Sequence, residues 1–228
     1  MSYKVEHVNP YNGKDPKNEQ VKKMFNEIAP RYDKLNGALS LGIDNYWRSD
    51  ALRELRQYRP RHILDIATGT GDFALLAQKL LHPEKITAVD ISEGMMAVGK
   101  KKVAAKGLNH IITFAHEDCA ALTFSDESFD AVTIAFGVRN FEEIDRSFQE
   151  VRRVLRPGGL FLFLELTTPE RNPMKSLYKS YTRYVMPMLS DLFPQGREMM
   201  LILKKNGFRN IRLRRYTLGV TTLYMAEK

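Results

Sequence analysis

The sequence predicts an α/β fold in which a mostly parallel sheet carries helices on both faces. From residue 61 onwards, short apolar runs alternate with amphipathic segments at helical spacing, which is the pattern of repeated strand–helix units. The runs "HILDI" and "LFLFLEL" are largely apolar, as expected of strands that are buried on both faces. The 228 residues are enough for one such domain, which we assign to 1–228, with extensions.

Before this alternation, residues 1–58 predict an arm and a helical cap. The arm is rich in Asn, Pro and Gly, and Asp15-Pro16 is a typical helix start, with the acid as N-cap and the proline in the first turn. Apolar residues then recur at helical spacing as far as Pro30. A second helix is predicted to begin near Asp44, in "LGIDNYWRSDALRELRQY".

The elements of the sheet follow in a regular order. Strands are predicted at "HILDIA", "KITAVDI", "IITFAHED", "FDAVTIAF" and "LFLFLEL", and helices at "DFALLAQKLL", "EGMMAVGKKKVAAKG" and "EEIDRSFQEVRRVLRPGG". Gly107 is the expected C-cap of the middle helix. A helical insertion at 171–193 then breaks the order, and it precedes the helix "GREMMLILKKNGF" and a hairpin that turns at Leu218-Gly219.

Composition narrows the classes of protein. The formal net charge of +8 favours an anionic partner, either nucleic acid or an anionic membrane surface, although a merely soluble basic surface is the alternative. The single cysteine, Cys119, cannot form an internal disulfide and fits a reducing cytosol. We expect no signal peptide and no membrane span, because no apolar stretch is long enough. The five histidines lack ligand spacing, so we predict no metal site.

The segment "ILDIATGTGDF" joins a strand to a helix and predicts a ligand site. In a doubly wound sheet, ligands bind at the carboxyl ends of the strands, where the strand order reverses, and Asp65 lies at that end of its strand. Gly69 and Gly71 allow a tight turn and a close approach of the ligand. The spacing differs from the G-x-G-x-x-G of dinucleotide sites. It resembles the acid-x-Gly-x-Gly-x-Gly loop of S-adenosylmethionine-dependent methyltransferases, with Ala67 at the first glycine; a plain strand-to-helix turn is the alternative.

Two further acids support a nucleoside ligand. Asp90 ends the next strand, about 20 residues after the loop, where a carboxylate accepts the ribose hydroxyls. Asp118 follows the third strand; an acid there commonly meets the adenine amino group, while the N–H of Cys119 meets a ring nitrogen. Acids at the ends of three successive strands are hard to explain by chance. We therefore predict S-adenosyl-L-methionine as cofactor and S-adenosyl-L-homocysteine as its product.

Several longer segments resemble the quinone C-methyltransferase family of menaquinone and ubiquinone biosynthesis. They are "MFNEIAPRYDKLNGALSLGIDNYWR", "DIATGTGD", "AFGVRN", "FPQG" and the "GV" at Gly219-Val220, and the resemblance runs from about Val21 to Lys228. It implies a class I, Rossmann-like methyltransferase fold, with a seven-stranded, mostly parallel sheet and an N-terminal helical cap. It also implies a role in menaquinone biosynthesis.

The resemblance implies a set of site residues. Ala135 stands where relatives have a serine near the cofactor, so its contact is expected to be through the backbone. The predicted cofactor-binding residues are Asp65, Thr68, Gly69, Thr70, Gly71, Asp90, Ile91, Asp118, Cys119 and Ala135.

The implied reaction methylates a ring carbon of demethylmenaquinol to give menaquinol. Loss of a proton from a neighbouring hydroxyl strengthens this weak nucleophile, so the site needs a group that stabilises an oxyanion. Arg139 is a fixed cation with several donors, and Asn140 would hold the same oxygen or orient Arg139. Tyr32 and Asp33 come from the cap, and Asp33 is a second candidate for handling the proton. The alternatives are a structural ion pair for Arg139 and a packed lid residue for Tyr32.

The insertion predicts a basic amphipathic helix. Lys175, Lys179 and Arg183 share one face, and apolar and aromatic residues form the other, which is typical of a segment at a membrane interface. A helix packed on the sheet is the alternative. Because the implied substrate is a polyprenylated naphthoquinol, we expect a cytoplasmic protein that associates peripherally with the inner face of the cytoplasmic membrane. An amphipathic surface is also compatible with a homodimer.

The insertion departs from the family pattern at its end. Relatives carry a further segment with a Tyr-x-Tyr-Leu-x-x-Ser element before "FPQG", whereas here "MPMLSDLFPQG" runs straight through. Either this protein lacks the segment, or residues present in the protein are left out of the numbered sequence at this point. We favour the second explanation and predict a substrate lid, with a break in the chain between about Leu189 and Phe193.

Other functions stay open on the sequence alone. The acceptor could be a benzoquinol precursor of ubiquinone, or both quinols. The positive charge also suits an RNA methyltransferase, but there is no appended RNA-binding module, and "AFGVRN" replaces the Asn/Asp-Pro-Pro-aromatic element of many enzymes that methylate nucleobase nitrogens; we therefore expect no nucleic-acid partner. A binding scaffold without activity is the third possibility, and the intact acids of the site argue against it.

Overall fold

The structure is a computed structural model that describes residues 3, 6, 9–11, 14–40, 42–168 and 196–228. The predicted insertion at 171–193, with its basic helix, lies outside the described residues. So do the break expected between Leu189 and Phe193 and the first three residues of "FPQG".

Seven helices and seven strands form the described part of the chain. The helices are α1 Lys17–Ile28, α2 Tyr32–Ser40, α3 Ile43–Leu55, α4 Asp72–Leu81, α5 Glu93–Ala105, α6 Ile144–Val154 and α7 Gly196–Lys205. The strands are β1 His62–Ile66, β2 Lys85–Asp90, β3 Ile112–His116, β4 Phe129–Ala135, β5 Leu155–Leu166, β6 Arg209–Tyr216 and β7 Thr221–Glu227. Every strand predicted from the sequence is present.

The strands form one seven-stranded sheet in the order β3-β2-β1-β4-β5-β7-β6. The first five strands are parallel, and β7 runs antiparallel to both of its neighbours. This confirms the predicted mostly parallel fold and its C-terminal hairpin. The direction of winding reverses between β1 and β4, so a crevice opens at the carboxyl ends of these strands. At the other end of the order, β6 is an outer strand and carries four arginines in the sequence "RNIRLRRY".

Apolar side chains pack on both faces of the sheet. Because neighbouring residues of a strand point to opposite faces, Ile63 joins the cluster under α3 and α4, whereas Leu64 joins the cluster under α6 and α7. On the second face, Phe148 of α6 lies against the rings of Phe161 and Phe163, with ring centroids 5.1 and 5.7 Å apart. The two clusters explain why the inner strands are apolar along most of their length, in contrast to the outer strand β6.

The cap differs from the prediction in two respects. The N-cap of α1 is Pro16 rather than Asp15, and no side chain caps this helix; the carbonyl of Asp15 instead accepts a hydrogen bond from the side chain of Gln20, at 2.6 Å. Pro30 does not end the helical region, because it lies in a short 3₁₀ turn, Ala29–Arg31. The first residues of a helical turn need no N–H partner, so the chain continues directly into α2, which the sequence pattern did not predict.

Candidate functional site

A cavity of about 310 Å³ lies in the crevice where the strand order reverses. Its walls come from the carboxyl ends of β1, β2 and β4 and from the short turn that follows β3. The lining residues from these four segments include Ile66, Ala67, Gly69, Asp90, Ile91, Asp118, Cys119, Ala135 and Asn140. Helices α1 and α2 of the cap add Asn18, Val21, Phe25 and Tyr32 to the same cavity. The cap therefore closes one side of the predicted cofactor site.

The β1–α4 loop has the conformation that its glycines permit. Gly69 and Gly71 have φ angles of +56° and +77°, and Ala67 also adopts the left-handed region, at +51°. The methyl group of Ala67 explains a second glycine: a Cβ atom on Gly137 would lie 2.6 Å from the Cβ atom of Ala67, closer than real Cβ contacts come. The glycine of "AFGVRN" is therefore required by the alanine of "DIATGTGD", a link between two motifs that sequence reasoning had not found.

The loop is shaped by side chains that do not line the cavity. Asp65 is buried, and its two carboxylate oxygens accept hydrogen bonds from the hydroxyls of Thr68 (2.6 Å) and Thr133 (2.7 Å). The hydroxyl of Thr70 donates to Asp33 at 2.6 Å. Gly71 is the N-cap of α4. These predicted cofactor-binding residues hold the loop backbone in place without lining the cavity. Of the loop between β1 and α4, Ala67 and Gly69 line it.

Asp65 should make stability depend on pH in an identifiable way. Burial raises its pKa to about 6, against the smaller opposite effect of the two threonine hydroxyls. Because the folded-state pKa exceeds the unfolded value of about 4, the contribution of Asp65 to stability is full below pH 4 and is lost as the pH rises through about 6. Between pH 7 and pH 4, the wild type should therefore gain about 2 kcal/mol of unfolding free energy relative to Asp65→Asn. Urea unfolding across this range measures it, and a difference that is independent of pH would contradict the prediction.

Asp90 and Asp118 face the cavity with acceptor capacity to spare. The oxygens of Asp90 accept the N–H groups of Gly69 and Ser92, both at 2.8 Å; burial raises its pKa, and these N–H groups oppose the rise. Asp118 accepts from the N–H of Ala120 and from the side chain of Asn18, both at 2.9 Å. A carboxylate has about four acceptor positions, so each acid can accept further hydrogen bonds from a ligand. Two carboxylates at neighbouring strand ends, each with acceptor positions left, could hold the hydroxyls and the amino group of a nucleoside.

Cys119 packs beside these acids as a neutral thiol. Its side chain is buried, with Sγ 3.9 Å from the carbonyl oxygen of Ser147. Burial raises the pKa of the thiol well above its ordinary value. Since the thiolate is the reactive form of cysteine, this residue has the character of a packing group.

The four predicted catalytic residues separate into two pairs. Asn140 and Tyr32 line the cavity. Arg139 does not: its Nη1 donates to Oε1 of the buried Glu165 at 2.7 Å, and its backbone N–H donates to Oε2 at 3.1 Å. Asp33 lies on the outer side of the glycine loop, where it accepts from Thr70 and pairs with Nζ of Lys102 at 2.9 Å. The alternative of a structural ion pair therefore describes the observed contacts of Arg139.

Two cap residues at the site, Asn18 and Asn26, were not among the residues predicted from the sequence. Asn18 donates to Asp118, as described above, and Oδ1 of Asn26 accepts from the Ser92 hydroxyl at 2.8 Å and from the N–H of Gly94 at 2.9 Å. Both lie on α1, where a polar side chain usually indicates a solvent-facing position. Asn18 precedes the family's N-terminal signature and Asn26 lies inside it, but the signature does not show which of its polar side chains the fold covers.

Among the described residues, no group of three or more His, Cys, Asp and Glu side chains could hold a metal ion. No helix in the described ranges combines the length and the apolar character needed to cross a bilayer.

Comparison with known proteins identifies close relatives. The family model described as "ubiE/COQ5 methyltransferase family" matches residues 13–198. A demethylmenaquinone methyltransferase of Bacteroides fragilis is 47% identical, with 100% of both chains aligned. One of Porphyromonas gingivalis is 39% identical over 98% of both chains. The ubiquinone/menaquinone biosynthesis C-methyltransferase UbiE of Geobacter sulfurreducens is also 39% identical, over 93% of this chain and 90% of the relative.

Solved structures share the fold at lower identity. The [4+2]-cyclase SpnF superposes with a TM-score of 0.75 at 18% identity, over 92% of this chain and 96% of that one. A SAM-dependent methyltransferase of Aquifex aeolicus gives a TM-score of 0.59 at 21% identity, over 73% of this chain and 81% of that one. At these identities the comparison shows the fold alone.

Proposed function

Because the chain belongs to the ubiE/COQ5 methyltransferase family, an S-adenosylmethionine-dependent family, we propose that it transfers a methyl group to a ring carbon of demethylmenaquinol, giving menaquinol. The observation that carries this proposal is the crevice cavity, which is lined both by two acids suited to a nucleoside and by Asn140. The printed names of the most similar relatives support the naphthoquinol. The name of the Geobacter relative also covers ubiquinone, so a benzoquinol is the second acceptor to test.

The residues of the cavity fit S-adenosylmethionine. Its volume falls within the range of about 300–1,000 Å³ that is usual for ligand sites. We assign Asp90 to the ribose hydroxyls, Asp118 to the adenine amino group and the N–H of Cys119 to a ring nitrogen, with Ala135 and Ile91 as walls. When bound, the sulfonium supplies an activated methyl group, so the chain has only to position the acceptor and strengthen it.

The acceptor is best served by the two predicted catalytic residues that face the cavity. The Asn140 side chain can donate a hydrogen bond to a quinolate oxygen, which stabilises the charge that makes the ortho carbon nucleophilic. Tyr32, on the cap, offers a second hydrogen-bond donor through its hydroxyl group. We assign Arg139 to holding the turn that carries Asn140, because the carboxylate of Glu165 already balances its charge. We assign Asp33 to fastening the cap rather than to proton transfer.

The test is methyl transfer from S-adenosylmethionine to a short-tailed demethylmenaquinol, offered in reduced and in oxidised form. Only the reduced form can lose a hydroxyl proton, so product from that form alone supports the quinolate route. If neither form reacts while S-adenosylhomocysteine still raises the Tm, the acceptor is wrong and the cofactor assignment stands. The benzoquinol and RNA are then the next acceptors to offer.

We also propose peripheral association with an anionic membrane through a surface formed by α3 and the β6–β7 turn. Leu218 in this turn is 75% exposed, and Tyr46 and Ile43 at the start of α3 are also exposed. The two segments touch: Nε1 of Trp47 donates to the hydroxyl of Thr217 at 3.0 Å. Arg214 and Arg215 stand at the end of β6 that leads into this turn, and Arg214 also pairs with Asp50 and Glu54 of α3. An anionic surface attracts each nearby cation by about 1 kcal/mol.

Leu218→Asp should weaken binding to vesicles that contain phosphatidylglycerol, measured by flotation. The matched control is Leu201→Asp, because Leu201 is an equally exposed leucine on α7, at the other face of the sheet. Leu218 already has a left-handed backbone, at φ +55°, which Asp tolerates better than Leu, so the change should not unfold the chain. Equal binding by both variants would contradict this surface. Neutral phosphatidylcholine vesicles should bind neither the variants nor the wild type.

A homodimer and the exclusion of nucleic acid stay predictions. Sedimentation tests the first, and salt-dependent retention on heparin together with RNA methylation would contradict the second.

A further inference from the structure

We propose that Lys17 is a positioning residue, which holds the turn carrying Asn140 against the acceptor when α1 docks over the cavity. This inference rests on the proposed function, since it takes Asn140 as the group that meets the quinolate oxygen.

The contacts of Lys17 enclose Asn140 along the chain. Nζ of Lys17 donates to the carbonyl of Arg139 at 3.0 Å and to the carbonyl of Phe141 at 3.1 Å. These are the residues immediately before and after Asn140, in and after the 3₁₀ turn Val138–Asn140. The last carbonyls of a short helix have no partner within it, and the ammonium of Lys17 supplies the missing donors. One side chain of the cap therefore fixes the backbone on both sides of the residue that faces the acceptor.

Lys17 occupies this position at a cost. It is only 4% exposed, and burial lowers its pKa to about 8, while the charges of Glu6 and Glu142 act in the opposite direction and that of Arg139 acts with burial. It also lies in the first turn of α1, where a cation interacts unfavourably with the helix dipole. A cap helix that served only as cover would place an acid or a neutral residue there. Burial and the helix dipole both disfavour a cation at this position, which supports a functional role for the contact between Lys17 and the Asn140 turn.

The neighbouring residue, Asn18, links the same helical turn to Asp118. Asn18 donates its side-chain N–H to Asp118 at 2.9 Å and its backbone N–H to Glu142 at 3.0 Å. Docking of the first turn of α1 therefore completes the adenine side through Asn18 and the acceptor side through Lys17. Asn26 and Asp33 fasten the cap elsewhere, so loss of Lys17 alone should leave the cap docked.

The experiment compares Lys17→Met, Asn18→Ala and the exposed control Lys34→Met in the full chain. Lys17→Met should lower kcat for reduced short-tailed demethylmenaquinol by at least about 10-fold, the loss expected for two hydrogen bonds from a charged donor, while the Kd for S-adenosylhomocysteine changes by less than about 3-fold. Asn18→Ala should instead raise that Kd, by about 10-fold. Lys17→Arg should recover part of kcat, and Lys34→Met should match the wild type in both measurements.

Hydrogen exchange supplies a readout that needs no turnover. The N–H groups of Asn140 and Phe141 should exchange faster in Lys17→Met than in the wild type, whereas those of α4 should not change. The inference is overturned if exchange in this turn is unchanged, if kcat is unchanged, or if kcat and cofactor affinity fall together, which is the pattern of a purely structural role. A wild type that methylates no quinol would contradict the proposed function, and the exchange measurement would still decide the role of Lys17.

Discussion

Asp90→Ala should abolish methyl transfer and raise the Kd for S-adenosylhomocysteine by at least about 100-fold. The variant would lose two hydrogen bonds from the ribose hydroxyls, and each hydrogen bond to a charged group contributes about 1.5–3 kcal/mol. The effect has a second source. The carboxylate of Asp90 also holds the N–H groups of Gly69 and Ser92, so its removal releases the glycine loop. Isothermal titration of the purified variant measures the affinity directly.

The matched control for Asp90 is Glu84→Ala. Glu84 precedes the opposite end of the same strand, β2, and its exposed carboxylate pairs with Arg61. Exposed ion pairs contribute at most about 1 kcal/mol, so this variant should keep cofactor affinity and turnover. If Asp90→Ala still bound S-adenosylhomocysteine with an affinity within a few-fold of the wild type, the assignment of Asp90 to the cofactor would be contradicted. A different ligand would then have to be sought for the cavity.

Arg139→Ala should lower the free energy of unfolding by about 3–5 kcal/mol and should also stop turnover, because it leaves a buried carboxylate without its partner. Glu165 is 0% exposed and takes both the guanidinium and the backbone N–H of Arg139. The substitution should loosen the turn that carries Asn140, while the contacts of Asp118, which we assign to the adenine, are unchanged. Affinity for S-adenosylhomocysteine should therefore change little at temperatures where the variant is folded. Urea unfolding and isothermal titration check the two parts.

A double variant separates stability from catalysis at Arg139. Combining Arg139→Met with Glu165→Gln removes both charges of the buried pair, and such replacements are often nearly neutral for stability. If Arg139 serves only to hold the turn, the double variant should regain much of the lost stability and much of the turnover. If stability were recovered but turnover were not, Arg139 would itself stabilise the quinolate, as the sequence predicted. The first outcome is the one we expect from its contacts.

The position of Asp90 and Asp118 at the crevice could be predicted because strand ends are predictable. Asp90 and Asp118 follow short apolar strands, and the carboxyl ends of parallel strands meet at one edge of a sheet. No knowledge of side-chain direction was needed. The same reasoning placed Asp65 at this edge but could not show that its oxygens are used by Thr68 and Thr133. Those partners come from the loop itself and from β4, which neighbours β1 in the sheet but lies far along the sequence.

The cap could not be predicted to the same depth, because its helices have no sheet to set their rotation. Tyr32 and Asp33 are adjacent in the sequence and were assigned together, but successive residues of a helix point about 100° apart. One therefore faces the cavity while the other reaches Thr70 and Lys102. Lys17 and Asn18 were missed for a related reason: only the docked position of α1 shows which of its polar side chains are covered.

The arginines of β6 also bear on how the protein behaves when it is concentrated. An outer strand presents unpaired N–H and C=O groups, which can recruit a strand from another molecule and begin aggregation. With four arginines in eight residues, two β6 strands brought side by side would repel each other before such pairing could form. Salt weakens this repulsion. The arginines of β6 should therefore oppose fibre growth from this edge of the sheet, and they should do so less strongly as the ionic strength of the medium rises.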